Sequence, residues 1–193
     1  MILLLSELFF LRSHYVKYKG FVNYGNLKGN RCRKFLFYYL GDRLVNSYIR
    51  YADINDCTVL GIIHSESWKV TYKDIVPDSI LDNMSAEKSE KRFYNAFVQG
   101  EEENVLILNA NQIAGFMCFG KCRDKDLDNS YGEIWGIYLL PQYWGRGLGT
   151  ELINWGINEL HIRGYNKVSL WVLEEISMLV NSMKKWDSPM MEQ

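Results

Sequence analysis

Gly145, Gly147 and Gly149 occupy alternate positions, with Arg146 between the first two, just beyond an apolar run that stops at Pro141. Glycines let a backbone approach a ligand closely, and the N–H groups at a helix start converge on negative charge. The segment from Gly145 to Thr150 therefore reads as a pyrophosphate cradle between a strand end and a helix N-terminus. A phosphate loop closed by Gly-Lys-Ser/Thr is excluded, because no such triplet follows. A dinucleotide fingerprint stays open as an alternative, since Gly-x-Gly-x-Gly resembles it and Glu174 closes the next apolar run. That fingerprint starts directly at the strand end of a strand–helix–strand unit. Here Pro141–Trp144 intervene, and the chain before them reads as consecutive strands.

Other chemically capable side chains are scattered. Cys32, Cys57, Cys118 and Cys122 have no paired metal spacing and no histidine cluster, so no metal site is expected. Reduced thiols and a cytoplasmic setting are the expectation. Met1–Leu11 is apolar but short and interrupted by Glu7, which fits neither a membrane span nor a signal peptide. His64, on an expected helix, reads as surface or core filler, and Cys118 as a buried small hydrophobe.

The 193 residues, 48% of them hydrophobic, suffice for one domain with its own core. Net charge is −1, yet residues 1–44 hold eight of the 22 Lys/Arg and only two of the 23 Asp/Glu. This leaves an acidic remainder, and the basic start could address nucleic acid or an anionic membrane. A second reading is preferred: residues 1–44 contain ten Phe/Tyr and no proline, with no sustained periodicity. Such a mixture is what translated AT-rich non-coding DNA gives, and Val45, encodable by GTG, is the expected natural start. Residues 1–44 are thus expected to lie outside the domain, with no nucleic-acid or membrane partner.

The elements that must hold the glycine segment follow from periodicity and punctuation. Tyr48–Tyr51 is a short strand. A helix follows Asp53–Asp56 and runs to about Val70, Pro77 opens a short one to Leu81, and Ser85 caps a third over Ala86–Gln99. Val105–Leu108 and Ile113–Phe119 form a hairpin about Asn109–Gln112. Asp124–Ser130 is a polar loop and Gly132–Leu140 the next strand. The helix after the glycines puts Leu148, Leu152, Trp155, Gly156 and Leu160 on one stripe and ends at Gly164. Lys167–Leu173 is a final strand.

Trp144-Gly145-Arg146-Gly147-Leu148-Gly149 resembles the Gln/Arg-x-x-Gly-x-Gly/Ala motif of the GNAT (Gcn5-related) acyl-coenzyme A N-acyltransferases, with Trp144 where Gln or Arg is usual. The strand end Ile137-Tyr-Leu-Leu-Pro141 and Ser169-Leu170-Trp171-Val172 are similar to bacterial members. So are Ser67-Trp68-Lys69-Val70-Thr71-Tyr72 and Asp74-Ile75-Val76-Pro77. The resemblance runs from about Tyr48 to Glu175. It implies an α/β (α+β) fold: a mixed, mostly antiparallel sheet flanked by helices, with residues 45–175 as the N-acetyltransferase domain. It further implies acetyl-coenzyme A as co-substrate and a small-molecule or peptide amine as acceptor, with a homodimer among the possible assemblies. A coenzyme A-binding remnant without activity is the alternative.

By the same resemblance, Gly145, Arg146, Gly147, Leu148, Gly149 and Thr150, with Trp144, bind the cofactor. The backbone of Ile137 and Leu139 pairs with the pantetheine arm, and the Leu139 amide donates to the thioester oxygen. Glu133 is the candidate general base, expected to share a strand face with Trp135, Ile137 and Leu139. Trp68 and Tyr72 are candidate acceptor contacts, with helix packing as the competing role.

After Glu175 the family's Asn-x-x-Ala-x-x-Phe-Tyr-Glu-x-x-Gly-Phe is absent. The expectation is a frameshift: read one base earlier, Ile176–Ser188 can encode that motif, with Glu forced by Met183-Lys184 and Gly by Trp186-Asp187. Residues 176–193 would then be an aberrant tail, and the final helix and two C-terminal strands would be missing.

Overall fold

The computed structural model describes residues 15–20, 47–100 and 102–173. The expected aberrant tail and most of the segment before Val45 lie outside these residues.

Six strands and four helices make the described fold. They run β1 (Tyr15–Gly20), β2 (Ser47–Tyr51), α1 (Cys57–Thr71), α2 (Asp78–Leu81), α3 (Ala86–Gln99), β3 (Glu103–Asn109), β4 (Gln112–Lys121), β5 (Tyr131–Leu139), α4 (Leu148–Ile162) and β6 (Lys167–Leu173). The sheet order is β1-β6-β5-β4-β3-β2, and only the β5–β6 pair is parallel. This is the mixed, mostly antiparallel sheet that the sequence implied.

Local chemistry explains the boundaries. Asp53 and Asp56 form a reciprocal capping box ahead of α1. Ser85 accepts from the Lys88 amide at the start of α3, and Gly100, at φ 66°, ends it. Between β3 and β4, Ala110 and Asn111 both have positive φ (50° and 63°), the signature of a tight hairpin turn. Gly164 (φ 92°) closes α4.

The sheet separates two apolar layers. One joins α4 to Val105, Ile107, Met117, Phe119, Ile134, Ile137 and Leu139. The other joins α1 and α3 to Leu106, Leu108, Phe116, Cys118 and Tyr138. Helices α1 and α3 cross at Gly61, where a Cβ would stand 2.5 Å from the Ala86 carbonyl oxygen.

Tyr15–Gly20, inside the segment expected to lie outside the domain, pairs antiparallel with β6 from Tyr15↔Leu173 to Gly20↔Val168. Nothing in their composition announced it, because edge pairing depends on the partner strand.

Candidate active site

β5 and β6 pair only from Tyr131↔Lys167 to Ile134↔Leu170, yet β5 continues to Leu139 and β6 to Leu173. Beyond Ile134 the two strands diverge. The amide of Leu140 donates to the Ala114 carbonyl on β4. By alternation along a strand, the backbone groups of Leu139 and Ile137 face the opposite side, into the divergence. The side chains of Ile137 and Leu139 are core residues under α4, so their backbones alone face the gap.

A 3₁₀ turn over Pro141–Tyr143 leads from β5 to the glycine segment. Gly145 has φ 71° and Gly147, the N-cap of α4, has φ 83°. Both conformations favour glycine, and a Cβ at either would meet nothing within 4 Å. The backbone there borders open space. The first intrahelical bond of α4 runs from the Glu151 amide to Gly147, so the amides of Leu148, Gly149 and Thr150 belong to the open helix start. Leu148 is buried, which limits it to backbone contact, while Arg146 is exposed and stacks near the Tyr143 ring. Open amides, a positive helix end and a nearby cation together fit a pyrophosphate.

Trp144, expected from sequence among the cofactor contacts, directs its indole back towards β5. Its indole N–H donates to the Leu139 carbonyl at 2.7 Å. The Ser67 hydroxyl, from α1, donates to that same oxygen at 3.0 Å.

Glu133 is 3% exposed. The Arg123 amide donates to its Oε2 at 2.8 Å, and the Arg123 guanidinium to its Oε1 at 3.0 Å. The guanidinium also stands 4.5 Å from the Trp135 ring centroid. A carboxylate has about four acceptor sites, so each oxygen retains capacity for a proton donor.

Glu133 does not share a face with Ile137 and Leu139, as alternation predicted. The β4–β5 register shifts between Cys118↔Gly136 and Phe119↔Ile134, leaving Trp135 as an extra residue. This bulge inverts the alternation. Ile134, Ile137 and Leu139 consequently lie in the α4 layer, while Trp135 and Tyr138 lie in the α1/α3 layer. Glu133, next to Ile134, shares the side of Trp135.

Trp68 and Tyr72 are 2% and 0% exposed and pack against each other at 4.6 Å in the α1 core. Both belong to the apolar layer beneath α1 and α3. His64 is likewise buried among Trp68, Phe93 and Tyr138, its Nδ1 3.0 Å from the Ser89 hydroxyl. Burial pushes its pKa down to about 3, with the nearby Arg92 charge acting the same way. Among the described residues, no group of three or more His, Cys, Asp or Glu converges as metal ligands, and no helix is long and apolar enough to cross a membrane.

Sequence reasoning missed Arg123 and Ser67 as contributors. Arg123 sits in an aperiodic polar loop, and Ser67 reads as an ordinary helix residue. Only folding brings Arg123 to Glu133 and Ser67 to Leu139.

Residues 62–178 match the family model described as the acetyltransferase (GNAT) family. An N-acetyltransferase of Bacillus subtilis, YuaI, itself uncharacterized, is 26% identical over 66% of this chain and 72% of its own length. The spermidine N(1)-acetyltransferase of Thermoplasma acidophilum is 29% identical over 54% of this chain and 65% of its own. Among solved structures, the PaiA N-acetyltransferase of Thermoplasma acidophilum, in complex with coenzyme A, superposes with a TM-score of 0.52 at 21% identity, covering 62% of this chain and 74% of that one. A GCN5-related N-acetyltransferase of Ralstonia eutropha gives 0.54 at 16%, covering 71% and 90%. With its family model matched across more than half the chain, the protein belongs to the GNAT acetyltransferase family.

Proposed function

We propose that the protein transfers an acetyl group from acetyl-coenzyme A to an amine of a small molecule or peptide. The observation that carries this reading is the divergence of β5 from β6 directly beside the open glycine-rich start of α4. In this reading the amides of the α4 start and Arg146 hold the pyrophosphate, and the Ile137 and Leu139 backbone pairs with the pantetheine arm. Acetyl-coenzyme A supplies an activated thioester when bound. The Leu139 amide donates to the thioester oxygen, polarising the carbonyl. Glu133 would accept the proton of the incoming ammonium, directly or through one water; the neutral amine would then form the C–N bond as the C–S bond breaks, and the second proton lost by nitrogen would pass to the departing thiolate. The related spermidine enzyme supports an amine acceptor as the substrate class.

Calorimetric titration with acetyl-coenzyme A and with NAD, followed by thiol release in the presence of spermidine, an aminoglycoside and a short peptide, tests the reading. Saturable binding of acetyl-coenzyme A with amine-dependent thiol release is the expected result. Preference for NAD would overturn it. Binding with no thiol release from any amine would favour the inactive coenzyme A-binding alternative.

A further inference from the structure

The carbonyl oxygen of Leu139 joins three parts of the molecule. It belongs to the last residue of β5, and its two donors come from the cofactor loop (Trp144 Nε1, 2.7 Å) and from α1 on the other side of the sheet (Ser67 Oγ, 3.0 Å). Ser67 is fully buried. The next amide, that of Leu140, is held by the Ala114 carbonyl. Gly115, the register partner of Leu139, leaves room for this close approach: a Cβ there would stand 2.3 Å from both the Leu139 side chain and the Tyr138 carbonyl oxygen. The Leu139 side chain in turn lies under the start of α4, 3.4 Å from where a Gly149 Cβ would be.

We infer that Ser67 and Trp144 are positioning residues. Together they fix the end of β5 so that the Leu139 and Ile137 backbone stays presented to the gap between β5 and β6. A strand end beside a divergence has lost its neighbour on that side and is held by backbone pairing on the β4 side alone. Two donors on one carbonyl oxygen, which has two lone pairs to offer, replace the missing restraint. Trp144 therefore acts on the cofactor through Leu139 rather than by touching phosphate. The cofactor loop and α1 are mechanically joined at one atom. This rests on the coenzyme A reading of the loop.

The test compares two ligands on the full chain: coenzyme A, and adenosine 3′-phosphate 5′-diphosphate, which keeps the pyrophosphate and lacks the pantetheine arm. Loss of one such hydrogen bond corresponds to about a fivefold to tenfold change in affinity. Trp144→Phe is expected to weaken coenzyme A by about that factor and Ser67→Ala by a smaller one, while the arm-less ligand changes less than about twofold. The double variant should be non-additive, because both donors share one oxygen. Equal weakening of both ligands would make Trp144 a direct phosphate contact and overturn the inference, as would unchanged coenzyme A affinity in both single variants. A wild-type chain that binds neither ligand brings down the cofactor reading and this inference with it. Should Trp144→Phe fold poorly, hydrogen exchange of the Trp144 indole proton in the free wild-type protein decides: slow exchange is expected, and exchange at the rate of a solvated indole refutes the bond.

Discussion

Arg123 grips Glu133 twice, its backbone amide on one carboxylate oxygen and its guanidinium on the other. The pair is asymmetric: the Glu133 side chain is 4% exposed and that of Arg123 42%. A buried carboxylate thus relies on a cation that reaches it from a solvent-facing loop. The same guanidinium lies over Trp135, the residue that the β-bulge inserts. This ties the β4–β5 loop to the bulge and to the candidate base.

Removing the guanidinium leaves Glu133 buried with only the amide of residue 123. Arg123→Ala is expected to cost about 1–3 kcal/mol, below the full figure for a broken buried pair because Arg123 is partly solvated. Glu133→Gln keeps an acceptor for that amide and should cost less, while lowering acetyl transfer by about 10²–10⁴-fold. Urea denaturation and a thiol-release assay separate the two effects. Equal activity of Glu133→Gln and wild type would remove Glu133 from the chemistry.

At Gly147, φ is 83° and the space a Cβ would enter is open. Gly147→Val should cost about 1–2 kcal/mol of backbone strain yet still fold. Its branched side chain would occupy the space offered to the pyrophosphate, and coenzyme A affinity should fall by at least about a hundredfold, or roughly 2.7 kcal/mol. Calorimetry on the folded variant checks this, and unchanged affinity would place the cofactor elsewhere.

Gly61 makes a different prediction, about stability alone. A methyl group there meets the Ala86 carbonyl oxygen and the Glu90 amide, at 2.5 and 2.8 Å, and backbone cannot move aside as a side chain can. Gly61→Ala should force α1 and α3 apart and lower stability by about 1–3 kcal/mol, despite alanine's better helix propensity. A thermal melt at or above the wild-type temperature would refute the close crossing.

His64 gives a pH dependence. Its folded pKa, about 3, lies below the ordinary value of 6.5. Between those values the unfolded chain binds a proton that the folded one refuses. The His64 contribution is therefore complete above about pH 6.5 and is lost on acidification, with a slope of up to about 1.4 kcal/mol per pH unit. Between pH 7 and pH 5 the wild type should lose about 2 kcal/mol more than His64→Gln. Parallel stability curves for the two proteins would contradict the buried neutral imidazole.

The β1–β6 ladder gives the last prediction. Deleting residues 1–20 removes six paired positions and leaves the edge of β6 exposed. The truncated chain should melt at a lower temperature and aggregate more readily. A melt unchanged by the truncation would put the whole segment outside the domain.

Periodicity and punctuation alone set α3 at Ala86–Gln99, between Ser85 and Gly100, and β6 at Lys167–Leu173. The glycine-rich start of α4 was legible for the same reason: alternate glycines between a strand and a helix are a local signal. The faces of β5 were not legible. Alternation put Glu133 with Ile137 and Leu139, but a bulge at Trp135 depends on how β4 registers against β5, which local sequence does not encode. Trp144 kept its place in the motif, yet its hydrogen bond to Leu139, like that of Ser67, requires the loop and α1 to converge on one carbonyl. Trp68 and Tyr72 carry side chains suited equally to a pocket or a core, and only the packing of α1 on the sheet buried them. Residue type and spacing determine short-range backbone geometry; which side chains meet across long loops is settled by register and packing in three dimensions.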